Sequence, residues 1–248
     1  MIQDGRVTVN GRVVNRLGIR ADPIKDSIRV DGKQLRKSPR KLYLLLNKPR
    51  KVISSVADPQ GRTVVTDLVK VKEKVYPVGR LDYHTEGLIL LTNDGDFSKR
   101  AAQAGNHMPK VYRVKVRSKP EDRELEKLRK GIRLKNGFQL APCRIVHLGG
   151  DRNGWYEVTL TQGKNRQIRE MFESVSCPVL KLRRISIGFL TDKGLPVGHY
   201  RSLTAGEVSQ VFRLTSERNE REAGKGRRVP HCHKHETGRS RRRMCLPE

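Results

Sequence analysis

Asp82 has the setting that most invites chemistry. It sits in the run Gly79-Arg-Leu-Asp-Tyr-His-Thr-Glu-Gly-Leu-Ile-Leu-Leu-Thr-Asn-Asp-Gly-Asp-Phe97, in a polar turn ahead of an apolar strand, Leu88 to Leu91, with a second Asp/Gly-rich turn behind it. A lone acid beside a rigid strand in a basic chain suits a catalyst that must set one carboxylate against an anionic polymer. Its bland reading is a turn residue capping backbone amides. Glu86 is the other acid nearby, and a paired-carboxylate glycosidase would need both. Its place two residues before the strand suits a local hydrogen bond better. His84 reads as a surface side chain, or one facing that polymer, rather than a base.

The charge of the chain narrows the partner. Among 248 residues, 53 Lys/Arg face 26 Asp/Glu, a net charge of +27. The stretch from Ser216 to the end holds ten Lys/Arg and five Asp/Glu, so most of the excess lies in the part expected to fold. A surface that tracks a phosphate backbone has this character. A membrane surface would also attract it, but no apolar run approaches the roughly 20 residues that span a bilayer, and no basic amphipathic helix emerges. Nucleic acid is the expected partner, and a membrane is not. Aromatic residues make up only 5% of the chain, so any base stacking must come from one or two placed rings. No signal or transit pattern opens the sequence, and Cys143, Cys177, Cys232 and Cys245 form no CxxC pair. A cytoplasmic protein with reduced thiols is expected.

The pattern along the chain divides it into three. Residues 1–38 read as small β-structure, with short β-prone runs turning at Asn10-Gly11 and Asp31-Gly32; the piece is too small for a core of its own. Residues 39–215 form the main domain. Leu42 to Asn47 is an apolar strand stopped by Lys48-Pro49, and Asp94 or Asp96 caps a helix from about Phe97 to Ala104. Val111 to Arg117 and Trp155 to Leu160 alternate with period 2. Ser118 to Glu121 is a capping box ahead of Leu125, Leu128 and Ile132, and Ile168, Met171, Phe172 and Val175 make a second helical stripe. No regular βαβ rhythm appears, so the expected class is α+β, with a mixed, largely antiparallel sheet and flanking helices. From about Ser216 the apolar pattern stops, and residues 216–248 are expected to be a basic tail, disordered without a partner.

With these elements in place, the sequence resembles a known family. Gly79-Arg-Leu-Asp82 with Thr85-Glu-Gly-Leu88 and Leu91-Thr-Asn-Asp-Gly95 looks like the first signature of the bacterial ribosomal pseudouridine synthases. The similar branch contains ribosomal small subunit pseudouridine synthase A and its large-subunit relatives. Val111-Tyr-Arg-Val114 is similar to the second motif, and Gly163-Lys-Asn-Arg-Gln-Ile-Arg-Glu-Met-Phe172 with Leu180-Lys-Leu-Arg-Arg-Ile185 to the third. The blocks fall in the family's order between about Tyr43 and Phe212. Gly5-Arg-Val-Thr-Val-Asn-Gly-Arg-Val13 resembles the back half of an S4-type RNA-binding domain. That domain normally begins with two helices, so a truncated S4-like module is expected here.

The resemblance implies isomerisation of a specific uridine to pseudouridine in ribosomal RNA, or in a ribosome-assembly intermediate, without cofactor or metal; nothing in the sequence suggests an obligate dimer, and a monomer is expected. The resemblance makes Asp82 the essential carboxylate, Tyr112 the ring that stacks on the extruded uracil, and Arg169 the basic partner that keeps the acid ionised and aimed. Leu182 would line the base pocket. Arg80, Lys164, Asn165 and Arg166 would meet the RNA, Arg166 with a phosphate at a helix N-terminus. Each has a bland alternative: Tyr112 a core tyrosine, Arg169 a solvated helix charge. The rival reading is a non-catalytic RNA-binding or ribosome-assembly protein. It explains the charge but not why Asp82, Tyr112 and Arg169 occur together. His231-Cys-His-Lys-His235 with Cys245 offers zinc-type donors at a spacing that fits no standard finger, and it reads as a polar tail. Arg239 to Arg243 reads as an electrostatic arm.

Overall fold

The computed structural model describes residues 1–22, 25–35, 39–103, 108–134, 137–150 and 153–225. An N-terminal meander contains β1 (Val7–Val9), β2 (Arg12–Val14), β3 (Ile28–Val30) and β4 (Lys33–Gln34), in the order β2-β1-β3-β4 with all neighbours antiparallel. Its tight hairpins turn on the expected dipeptides. Asn10 and Gly11 have φ of 51° and 81°, and Asp31 and Gly32 have 51° and 74°, the left-handed pair that suits two-residue hairpins. Arg6 clamps Asp31 through hydrogen bonds of 2.8 and 2.6 Å. None of the described residues in 1–35 is buried, so backbone pairing and polar ties hold this sheet.

The main domain is a nine-stranded sheet flanked by helices. Its strands are β5 (Tyr43–Lys48), β6 (Tyr76–Val78), β7 (Glu86–Thr92), β8 (Lys110–Val116), β9 (Arg144–Gly149), β10 (Trp155–Leu160), β11 (Val179–Ile187), β12 (Leu190–Thr191) and β13 (Tyr200–Ser202). The path runs β13-β5-β7-β11-β8-β10-β9, with β6 on β7 and β12 on β11. The helices are α1 (Gly95–Gln103), α2 (Asp122–Lys130), α3 (Gln167–Glu173) and α4 (Ala205–Lys225). This is the expected α+β class with a largely antiparallel sheet. None of the helices, among the described residues, is long and apolar enough to cross a membrane.

Side-chain pattern decides which faces are covered. β5 and β7 are nearly continuous apolar runs, and successive residues enter two cores. Leu45, Leu88 and Leu90 pack with Phe97 and Ala101 of α1 and Val211 of α4, whereas Leu44, Leu46, Ile89 and Leu91 share a core with α2 and α3. β8 and β10 alternate instead. They bury Tyr112, Val114, Val116, Tyr156, Val158 and Leu160 on one face and carry Arg113, Lys115, Trp155 and Glu157 on the other. Half of the sheet is thus covered on both faces and half on one.

Two helix starts sharpen the reading. Asp94, rather than Asp96, caps α1, accepting the amides of Asp96 and Phe97 while also binding Tyr43 and Lys41. The capping box at Ser118 is corrected: α2 begins at Asp122, and Glu124 accepts the Glu121 amide at 2.8 Å. Pro120 explains the shift, because the residue before a proline is disfavoured in helical conformation. Ser118 bonds the Ser176 carbonyl and Cys177 instead. α4 runs to Lys225, across the boundary expected at Ser216. His231, Cys232, His233, His235, Cys245 and Arg239 to Arg243 lie outside the described residues.

The sheet pivots where β7 meets β11. This is the parallel pair among the strands named above, and it is short: Arg183 opposite Glu86 and Arg184 opposite Gly87. Beyond it the strands part, and β6 takes over beside β7 from Leu90 onward. Gly87 has φ +112°, and a Cβ there would stand 2.1 Å from the Arg184 carbonyl oxygen. Only glycine permits that approach. At the parting point the Leu88 carbonyl accepts Arg184 Nε at 2.6 Å. Lys48, in register with Gly87, is fully buried and donates to the carbonyls of Pro49 and Val52. Burial pushes its ammonium down to about 8; Asp82 and Glu86 oppose that shift and Arg184 adds to it.

Two expectations follow from this junction. Gly87→Ala should destabilise the protein by about 3–5 kcal/mol, read as a lowered urea midpoint, because backbone must move and φ is unsuited to alanine. An unchanged midpoint would mean that the strands do not meet this closely. Lys48, with a folded pKa of about 8 against an ordinary 10.5, releases its proton in the folded state first. Stability of wild type relative to Lys48→Met should therefore rise between pH 8 and 10.5, by on the order of 2–3 kcal/mol. A flat difference across that window would show that Lys48 is not held dry.

Candidate active site

The turn ahead of β7 is built tightly. Its closing bond runs from the Thr85 amide to the Asp82 carbonyl at 3.0 Å. The loop after β5 braces it from behind. Ser54 Oγ accepts the Leu81 amide at 3.0 Å and donates to the Leu81 carbonyl at 2.8 Å. The Lys51 amide reaches the Tyr83 carbonyl at 2.7 Å. Asp82 is thus fixed at its backbone by its own turn and by the loop after β5, while its carboxylate remains one-third exposed.

Cations surround that carboxylate. Arg169, from α3, brings Nε to 3.7 Å from Asp82 Oδ2, an ion pair rather than a hydrogen bond. Its other nitrogens reach the Thr85 hydroxyl at 3.5 Å and the Val179 carbonyl at 3.4 Å, so one side chain ties α3 to the turn and to the start of β11. Burial pulls the Arg169 guanidinium down, Asp82 opposes this, and Arg166 and Arg50 add to the lowering. Arg166 stands 4.0 Å from the same carboxylate oxygen. It precedes α3 in left-handed conformation, φ 49°. α3 is only seven residues long, so the helix end adds little field and the Arg166 side chain itself is the local charge.

Asp82 opens into a small cleft of about 70 Å³. Tyr112 of β8 and Leu182 of β11, both largely buried, form its apolar wall, and Arg80, Lys164 and Arg166 line its rim. Tyr112 is held from behind by Arg184, whose NH1 lies 3.5 Å from the phenol oxygen. Lys164 rests its ammonium over the Phe138 ring, 4.1 Å from the centroid. Of the eight site residues expected from sequence, six line this cleft and Arg169 pairs with Asp82 beside it. Asn165 is exposed and does not line it. Glu86 and His84 border the neighbouring groove instead, an arrangement without the opposed second acid of a glycosidase. Among the described residues no group of three or more His, Cys, Asp or Glu side chains is placed to hold a metal ion.

Several contributors escaped the sequence reading. Ser54, Thr85 and Arg184 act through contacts with distant segments, which no local pattern encodes. Lys48 was read as a strand stop and proves to be a buried cation. Gly87 did leave a signal: an isolated glycine inside an apolar strand marks a bulge or a close backbone approach.

Residues 42–174 match the family described as RNA pseudouridylate synthase. Ribosomal large subunit pseudouridine synthase B of Bacillus subtilis (strain 168) is 42% identical over 219 residues, 86% of this chain and 88% of that protein. Ribosomal large subunit pseudouridine synthase E of Vibrio parahaemolyticus is 35% identical over 175 residues, covering 64% and 73%. A crystal structure of a pseudouridylate synthase superposes with a TM-score of 0.63 at 27% identity, over 85% of this chain and 90% of its own. Asp82, Tyr112 and Arg169 fall within the matched span, and the chain belongs to the RNA pseudouridylate synthase family.

Proposed function

We propose that the RNA on which this pseudouridine synthase acts is ribosomal, and that Asp82 is the carboxylate that engages the reacting uridine. The observation that carries the reading is the meeting, in one cleft, of Asp82, its counter-charge Arg169 at 3.7 Å, the Tyr112 and Leu182 wall and a cationic rim. The reaction breaks the N1–C1′ bond, turns the uracil and joins C5 to C1′. C5 gives up a proton and N1 ends with one, so nothing is oxidised, reduced or hydrolysed. What it demands is a held base and a placed carboxylate.

Each wall of the cleft meets one demand. The target base must leave its stack before its glycosidic bond can be reached. Tyr112 and Leu182 offer it an apolar slot, with the Tyr112 ring stacked on uracil. Arg80, Lys164 and Arg166 take neighbouring phosphates. Lys48 and Arg184, buried behind the cleft, supply a positive field that favours negative charge on the reacting base. The N-terminal meander, whose Arg12, Arg16, Arg20 and Lys33 are exposed, serves as an S4-like RNA contact. The same reading makes the protein a cytoplasmic, monomeric enzyme. The names of the relatives direct the test to large-subunit RNA first.

The test is to incubate the protein with unmodified large-subunit ribosomal RNA and map pseudouridines chemically. A new site is expected; none in either subunit's RNA would overturn the ribosomal reading in favour of a silent RNA-binding protein. Asp82→Asn should abolish isomerisation while weakening RNA binding by less than ~10-fold, because the phosphate contacts remain. Normal turnover by that variant would remove Asp82 from the chemistry. Arg169→Ala should lower kcat about 100-fold with KM nearly unchanged, the signature of a misaimed carboxylate. A loss confined to KM would instead make Arg169 an RNA contact.

A further inference from the structure

A second groove lies on the other side of the Asp82–Glu86 turn. Arg50, His84, Arg113, Trp155, Lys181 and Arg183 line it, and Leu182 borders both this groove and the catalytic cleft. The floor is the uncovered face of the half-sheet. In-register neighbours share a face, and two rows cross this one: Lys181, Lys115 and Trp155, then Glu86, Arg183, Arg113 and Glu157. Arg183 is tied to Asp192 at 2.7 Å, and Glu86 and Glu157 contribute two negative charges. Arg50, Arg113, Lys115 and Lys181 have no carboxylate within ion-pair distance among the described residues.

This arrangement costs the fold something. Like charges set directly opposite each other across strands are destabilising, and here both Lys181–Lys115 and Arg183–Arg113 are so placed. An anionic polymer lying on the face removes that repulsion. The half-buried ring of Trp155 sits among the charges, with Lys115 Nζ 5.6 Å from its centroid. A flat ring flanked by cations suits an unstacked nucleobase and its phosphates. Position adds the last argument. When a uridine is swung into the cleft past the Asp82–Glu86 turn, the strand it came from must continue across the other side of that turn.

We propose that this groove holds the RNA strand adjoining the extruded uridine, with a neighbouring base stacked on Trp155 and its phosphates on Arg113, Lys115 and Lys181. The inference rests on the proposed function only in requiring an RNA substrate. Because Trp155 is the single tryptophan of the chain, its fluorescence reports on this groove alone. The experiment titrates the full chain carrying Asp82→Asn with an unmodified stem-loop fragment of large-subunit RNA, following emission and gel mobility together. Emission should change along the same binding curve as mobility. Trp155→Ala should weaken binding about 10-fold and Trp155→Phe less than about 3-fold, since a ring remains. Replacing both Arg113 and Lys181 by alanine should lower the slope of log affinity against log salt by about 1 to 2.

RNA that shifts the protein while emission stays constant overturns the proposal, as does Trp155→Ala binding like wild type. An acidic protein as the true occupant would give that same silence toward RNA. Failure of the two readings is distinguishable. Pseudouridine formation with a silent Trp155 removes the groove alone. A responsive Trp155 without pseudouridine in ribosomal RNA removes the ribosomal reading alone.

Discussion

The closeness of β7 and β11 at Gly87 and Arg184 governs the rest of the molecule. Two backbones approach until a single Cβ would collide with a carbonyl, and beyond that contact they separate. The junction borders the cleft, since Leu182 lies two residues before Arg184 on β11 and Tyr112 stands opposite Arg184 on β8. It also leaves the Leu88 carbonyl in need of a donor, and buried Arg184 supplies one while holding Tyr112 from behind. The turn carrying Asp82 is the entry to β7. Its position therefore follows from the same junction, with Ser54 and Lys51 fixing what remains free.

Electrostatics around this junction run against stability. Lys48 and Arg184 are both nearly inaccessible to water and answered mainly by carbonyl oxygens rather than carboxylates. Buried cations without a paired acid are costly, and the lowered Lys48 pKa expresses that cost. Asp82, Arg166 and Arg169 form a loose cluster in which the acid is outnumbered. Such a site is poorly satisfied alone and better satisfied with an anion in place. Cross-strand repulsion on the open sheet face has the same logic.

Coverage of the sheet divides labour within the domain. β5 and β7, packed on both faces, make the rigid half, where tight packing holds backbone positions firmly. β8 and β10, packed on one face, make the half that can meet a ligand. Tyr112 and Arg113 are adjacent in sequence and serve opposite sides of that half: the first walls the cleft, the second lies on the charged face. One strand thus connects the Asp82 cleft with the charged face of the half-sheet.

Much of this was written locally. Period-2 alternation in Val111 to Arg117 and Trp155 to Leu160 determined those strands and their buried faces, and Asn10-Gly11 and Asp31-Gly32 determined two hairpins. The setting of Asp82 in a polar turn before an apolar strand was legible too, because side-chain period and turn chemistry act over a few residues. β11 was less so: Lys181, Arg183 and Arg184 interrupt its apolar pattern, although it sits in the middle of the sheet. The pairing of Asp82 with Arg169 came from resemblance, not from spacing. Its 3.7 Å separation, the Ser54 brace, Arg184 behind Tyr112 and the Gly87 approach were decided only by the tertiary structure. Each joins residues from about 27 to nearly 100 positions apart, and such contacts depend on how elements pack, which no local preference specifies.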